Sequence, residues 1–313
     1  MLPHCKLCDL ADFSHPDLLP VLRRVFAHEA GRFGPLFPQR VEYRKHWEVA
    51  MAVRALEAGG AVRADADLLG VGAGGEPTVF YLTNHVRRVF ATDLYLTDGQ
   101  WSAQAPPLML TAPGRFWPGP WNPRRLVAQH MNALDLRYED GTFDGIFSSS
   151  SLEHFGGPDD IRRAVKEMAR VLKPGGVLTL ATEFRLAGPG PGLPGVHLFD
   201  EAELREWVVG AADWEPLSPL DLTLSEATRR TALPFAEGCA DVDRHTRQFG
   251  ALYFHKLDWS RYPHLVLTHG PHTWTSVHVA VRKNDRGWRG SEGGFTRTNH
   301  QSGSGSDPVF HPR

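Results

Sequence analysis

The chain has 313 residues, 42% of them hydrophobic, with 34 Lys and Arg against 36 Asp and Glu and a net charge of -2. That is enough to bury a sizeable core in one large domain or two. It leaves no overall basic field to hold a phosphate backbone, so no nucleic-acid partner is expected.

No apolar run approaches the roughly 20 residues that cross a bilayer, and no membrane association is expected. The start, M-L-P-H-C-K-L-C-D, has an early acid and lacks the apolar stretch of a secretory leader. The expected location is the cytoplasm. Three cysteines are present: Cys5 and Cys8 as a C-x-x-C pair, and Cys239 alone. A zinc site needs about four ligands. His4 and His15 could complete one, but reduced cytoplasmic thiols are the simpler reading, and no metal site is assigned.

Residues 16–58 have helical character, with Leu18, Leu19, Leu22, Val25 and Phe26 at helical spacing. Residues 31–38 break the pattern, and a second amphipathic run over 41–58 stops at Gly59-Gly60. This segment, 1–60, reads as an N-terminal helical cap. The pattern then changes to short apolar runs, at 67–71, 88–92, 126–131, 143–148 and 177–182, that predict buried strands. Helices are predicted over 76–84 and 158–172, the second with Pro near its start and Lys-Pro-Gly-Gly at its end.

Strands alternating with helices imply a parallel sheet built from βαβ units. Later strands are expected at 264–268 and 275–282. In the last, Val277, Val279 and Val281 share one face. The main domain is thus 61–283, interrupted by insertions at 100–125, 187–195 and 223–263. The Gly/Ser/Asn/Arg-rich tail, 284–313, is expected to be disordered.

The first chemistry-bearing segment is D-L-L-G-V-G-A-G-G-E-P, residues 67–77. A strand runs into glycines and then a helix, so the backbone can approach a ligand closely. Gly70, Gly72 and Gly75 spell the dinucleotide fingerprint G-x-G-x-x-G. Asp93 follows at the end of the next strand, where an acid grips ribose hydroxyls. On these residues alone, a nicotinamide-dependent oxidoreductase, other nucleoside-binding enzymes and a glycine-rich turn of a non-binding α/β domain stay open.

The second segment is M-N-A-L-D-L-R-Y-E-D-G-T-F-D-G-I-F-S-S-S-S-L-E-H-F, residues 131–155, followed by R-V-L-K-P-G-G-V-L-T-L, residues 170–180. Together these motifs resemble the class I S-adenosylmethionine-dependent methyltransferases, particularly the bacterial small-molecule group. The likeness spans about 67–182 and is looser to 283. It implies a Rossmann-like α/β sheet, mostly parallel with an antiparallel C-terminal strand and helices on both faces, and S-adenosyl-L-methionine as cofactor.

By that resemblance, Gly72, Ala73, Gly74 and Gly75 lie against the methionine and ribose parts of the cofactor. Asp93, next to Leu94, receives both ribose hydroxyls, as a carboxylate can. Asn132, where the family usually has an acid, and the backbone of Ala133 meet the adenine. Ser148 and Ser149 end the fourth strand beneath the reactive methyl.

Two departures stand out. The family's acid at the end of the first strand is Gly70 here, and its third loop glycine is Glu76. Glu76 is either a replacement carboxylate for the donor's ammonium group or a surface acid at a helix N-terminus. Glu153 and His154 begin the active-site rim, and His154 could act as a base. Its alternative is a structural role. His46, in R-K-H-W-E, is a second candidate base or part of a solvated polar face around Trp47. Either Trp101 covers the adenine while Phe116, Trp117 and Trp121 wall the acceptor pocket, or the rings merely seal their insertion. The acceptor expected from the family is a hydroxyl or amine of a small molecule or sugar. A non-catalytic relative also stays open, favoured by Gly70 and Asn132. The oligomeric state is not legible.

Overall fold

A computed structural model describes residues 1–97, 105–237 and 263–285 of the chain. Its strands are β1 (Lys6–Leu7), β2 (Asp67–Val71), β3 (Arg88–Asp93), β4 (Leu126–His130), β5 (Phe143–Ser149), β6 (Leu172–Ala187), β7 (Gly192–Leu193), β8 (Val196–His197), β9 (Trp214–Pro216), β10 (Leu233–Pro234), β11 (Val266–His269) and β12 (His272–Lys283). The α-helices are α1 (Leu19–Val25), α2 (Ala27–Phe33), α3 (Arg44–Ala58), α4 (Pro77–Leu82), α5 (Leu108–Thr111), α6 (Pro158–Val171), α7 (Glu201–Leu204) and α8 (Glu226–Arg229).

The main sheet has the order β10-β11-β12-β6-β5-β2-β3-β4, with β1 and β9 also paired to β12. The strands from β4 to β6 are all parallel. Strand β12 then runs antiparallel to β6. The chain starts the parallel sheet at β2, builds outward to β4, and returns to place β5 on the other side of β2. That reversal leaves a crevice at the carboxyl ends of β2 and β5, the place where open α/β sheets bind ligands.

Alternation along each strand divides the core in two. Leu68 and Phe147 face a cluster with α1, α3 and α4, whereas Leu69, Val71, Ile146 and Leu178 face a cluster with α6. The sheet is therefore a middle layer between helices, as the sequence predicts.

The limits of several elements differ from the predicted ones. The Lys173-Pro-Gly-Gly turn does more than stop α6: it lies within β6, where the pairing with β5 shifts register between Phe143 and Gly145. The last two strands close into a hairpin at Gly270, whose φ of 54° suits a residue without a side chain. The N-terminus is not only a helical cap, because Lys6 and Leu7 pair with His278 and Val277 of β12. Trp101, Cys239, most of the 223–263 insertion and most of the 284–313 tail lie outside the described residues.

Candidate functional site

The glycine loop between β2 and α4 is laced to β3. The Ala73 N–H donates to the Thr92 carbonyl at 3.0 Å, and the Tyr95 hydroxyl donates to the Gly74 carbonyl at 2.8 Å. Gly72 and Gly74 have φ of 62° and 47°. A side chain at Gly72 would place its Cβ 2.6 Å from that of Ser151. Both the conformation and the close approach therefore require glycine there.

Asp93 ends β3 and faces this loop. Its Oδ2 accepts the Gly74 N–H at 2.8 Å and its Oδ1 accepts the Leu94 N–H at 2.7 Å. Burial pushes the Asp93 carboxyl above its usual range, against the pull of those two amides. A carboxylate offers about four acceptor directions. Two are used internally, so two remain for a pair of hydroxyls.

Beside it, Leu94, His130, Met131, Asn132, Asp135 and Arg137 line a shallow pocket of about 180 Å³. Leu94 is 42% exposed there. Ala133, next in the chain to Asn132, is buried. The Asn132 amide oxygen already accepts the Leu134 N–H at 2.9 Å, so it is partly committed to its own turn.

The absence of an acid at residue 70 has a steric reason. A Cβ there would stand 2.7 Å from the Phe147 ring and 2.9 Å from Ala73 Cβ. Phe147 occupies the space that an acid would need. The carboxyl of Glu76 lies nearby, against the hydroxyls of Ser149 and Thr78. Burial, then the neighbouring Glu48, push the Glu76 carboxyl up to about 8. It is not a surface acid: its Oε1 is buried and makes no hydrogen bond among the described residues. Neither do the buried hydroxyls of Thr78, Ser148 and Ser149.

A charged cluster closes the other wall of the crevice. Arg44 Nη1 donates to both Glu183 oxygens at 2.6 and 2.8 Å, and to Ser276 Oγ at 3.0 Å. Lys45 Nζ donates to both Glu48 oxygens at 3.1 and 3.2 Å and also reaches Ser150 Oγ. Ser150 and Ser276 donate to Glu48, the former at 2.7 Å. Burial acts to raise the Glu183 carboxyl, but Arg44 and Lys45 outweigh it and hold it well below the usual range. The sequence reading missed this cluster. The signal was present as cations and an acid on a helix with apolar neighbours, R-K-H-W-E, and a lone acid ending the apolar run L-T-L-A-T-E.

The candidate bases separate. Glu153 is buried, with Oε2 accepting the Thr182 hydroxyl at 2.8 Å. Burial and the adjacent Glu183 push its carboxyl up, toward the protonated form. His154 Nδ1 lies 2.8 Å from the Gly195 carbonyl, and its Nε2 is 3.9 Å from Glu153. Burial lowers the His154 pKa. A carbonyl can only accept, so Nδ1 carries the proton and Nε2 is the accepting nitrogen.

His46 is placed elsewhere. Two residues along a helix turn the side chain by about 200°, so His46 points away from Arg44 and Glu48. Its ring packs against Phe26 at 4.2 Å, Tyr43 at 5.4 Å and Phe37 at 6.0 Å. Burial lowers its pKa to about 4. Neither the solvated face nor a position with His154 at the crevice rim describes it.

Trp117 stacks on Phe80 at 6.2 Å, and Trp121 meets the same ring edge-on at 5.5 Å. These rings seal the insertion against α4, whereas Phe116 touches the binding loop: a Cβ at Gly75 would lie 3.0 Å from it. Cys5 and Cys8 are buried free thiols. Among the described residues no group of three or more His, Cys, Asp or Glu is arranged to hold a metal ion.

Residues 69–180 match the family model described as a methyltransferase domain. A 123-residue stretch is 31% identical to the 27-O-demethylrifamycin SV methyltransferase of Amycolatopsis mediterranei, covering 39% of this chain and 40% of that protein. A 61-residue stretch is 46% identical to the O-methyltransferase rstn1 of Aspergillus nomiae, covering 19% and 26%. The chain thus spans about two fifths or less of the length of these curated relatives. Among solved structures, it is similar to the 1,6-didemethyltoxoflavin-N1-methyltransferase of Burkholderia thailandensis with bound 1,6-didemethyltoxoflavin and S-adenosylhomocysteine. There the identity is 19%, the coverage 85% and 89%, and the TM-score 0.43.

Proposed function

We propose that the chain, whose residues 69–180 match a methyltransferase-domain family model, is a class I S-adenosylmethionine-dependent methyltransferase that methylates a hydroxyl of a small-molecule acceptor. The observation that carries the reading is the Asp93 carboxylate, tied to Gly74 and Leu94 and left with two acceptor directions. The loop at Gly72 and the buried hydroxyls of Ser148 and Ser149 fit the same nucleoside donor.

In this reading Asp93 holds the ribose, and residues 72–75 line the donor's sugar and amino-acid parts. Leu94, Asn132 and Ala133 receive the base. Glu76, Ser148 and Ser149 line the deeper end. When bound, S-adenosylmethionine supplies a methyl group already activated by a sulfonium. The protein's main work is alignment and exclusion of water, and alignment alone supplies ~7–11 kcal/mol in favourable cases.

A hydroxyl must lose its proton as it is methylated. His154 is the base that the geometry favours. Its Nδ1 is fixed by Gly195, and its neutral Nε2 takes the proton. The O-methyltransferase names of the relatives support a hydroxyl over an amine. A sugar hydroxyl meets the same chemistry. The net charge of -2 argues against a nucleic-acid acceptor. No helix among the described residues is long and apolar enough to cross a membrane.

Thermal-shift measurements with S-adenosylhomocysteine and with NAD test the cofactor. A rise in melting temperature with the first alone is expected, and a rise with NAD alone overturns the reading. For an acceptor hydroxyl, His154→Gln is expected to lower kcat by roughly 100-fold or more while leaving S-adenosylhomocysteine affinity within about twofold. An unchanged kcat removes His154 as the base.

A further inference from the structure

One carboxyl group in the crevice keeps an oxygen without a hydrogen-bond partner among the described residues. The Glu76 backbone is extended, and its side chain does not cap the helix that follows. The carboxyl turns inward instead. It meets the hydroxyls of Thr78 and Ser149, yet Glu76 Oε1, Thr78 Oγ1, Ser148 Oγ and Ser149 Oγ all remain without a hydrogen-bond partner among the described residues. Thr78 and Ser148 are almost wholly buried. Buried polar groups are normally satisfied, and each one left open costs about 1–3 kcal/mol. The open carboxyl oxygen, with the Thr78 and Ser149 hydroxyls against it, marks a subsite shaped for a polar ligand group.

The charges facing this group decide which ligand. Glu48 and Lys45 of α3 and Tyr95, after β3, are the titratable groups acting on it. Lys45 is already engaged with the Glu48 carboxylate. Among the described residues no other cation acts on Glu76, and Glu48 repels its ionised form. An anionic ligand group would deepen the conflict, whereas a cationic donor group would resolve it. The neighbouring strand end offers no other acid, because the Phe147 ring fills the space beside Gly70.

We propose that Glu76 is the counter-ion of the α-ammonium group of the methyl donor, and that donor binding expels a proton from Glu76. This rests on the cofactor reading above and deepens it. The balance is simple. The carboxylic acid gives its proton to solvent, the carboxylate pairs with the ammonium, and Thr78 and Ser149 donate their hydroxyls to it. In the protein alone burial holds the carboxyl up to about 8, so at pH 7 it is mostly protonated. The ion pair releases that proton. Below pH 8 the affinity for the donor therefore falls as the pH is lowered, by up to about tenfold per unit.

Calorimetric titration at pH 7, in buffers of different ionisation enthalpy, tests this on the intact chain. Two probes are used: S-adenosylhomocysteine, which carries the ammonium, and 5′-methylthioadenosine, which does not. The expected result is release of most of one proton with the first and essentially none with the second. In Glu76→Gln, S-adenosylhomocysteine should bind about tenfold more weakly with no proton release, while 5′-methylthioadenosine binds as before and reports an intact fold. Equal proton release with both probes, or none with S-adenosylhomocysteine in the unmodified protein, overturns the proposal while leaving the nucleoside site standing. If neither probe binds the unmodified protein, the cofactor reading fails first and takes this with it.

Discussion

The two walls of the crevice are built differently. On the β3 side, the wall is made by residues 72–76 and 93–95. One carboxylate, Asp93, gathers the Gly74 and Leu94 amides there. On the α3 side, the wall is made of side chains gathered from far along the chain: Arg44 meets Glu183 across 139 residues, and Glu48 meets Ser276 across 228. The first wall is local and depends on glycine. The second depends on the whole fold being in place and couples α3 to β6 and β12. A backbone wall can bind a ligand at little cost to stability. A buried ionic wall binds the fold together only while every charge keeps its partner.

That contrast gives an order of expected effects. Largest is Arg44→Met, which leaves Glu183 buried without its main cation. Urea unfolding should show a loss of about 3–5 kcal/mol, and a loss below about 1 kcal/mol would erase the distinction between the walls. Next is Asp93→Ala. Hydrogen bonds to a charged group are worth about 1.5–3 kcal/mol each, so calorimetry should find S-adenosylhomocysteine affinity lowered roughly 100-fold, with a smaller loss of stability than Arg44→Met.

Third is the pH dependence of stability in Glu76→Gln. The Glu76 carboxyl is raised from 4.5 to about 8 in the folded protein. Its contribution to stability is therefore complete below pH 4.5 and is lost as the pH rises through 8. The slope from this residue is at most about 1.4 kcal/mol per pH unit. Denaturation at several pH values should show a flatter profile in the variant; an unchanged slope would place Glu76 in ordinary solvent. Smallest is Arg230→Ala, which removes an exposed pair with Glu226. A change under about 0.5 kcal/mol is expected, and a larger one would show that exposed pairs matter as much as the α3 cluster.

The β3 wall was legible in the sequence because its signals are contiguous. Gly72 and Gly74 mark a turn of positive φ, and Asp93 ends an apolar strand. The same holds for β2, whose limits match the predicted run 67–71. The α3 wall was not legible, because no local pattern says that Arg44 faces Glu183 rather than water. His46 shows the same limit from the other side: two positions along the helix separate a crevice-facing residue from one buried among Phe26, Phe37 and Tyr43. Asn132 was assigned to the ligand from its position, and only the structure reveals the bond to Leu134 that engages its oxygen. Lys6 and Leu7 gave no periodic signal, since two residues are too short to show one.

The most direct test is a crystal structure of the chain grown with S-adenosylhomocysteine. Both ribose hydroxyls should lie within hydrogen-bond distance of the Asp93 carboxylate, with the thioether beside residues 72–75. A nucleoside bound at any other face of the sheet would contradict the account.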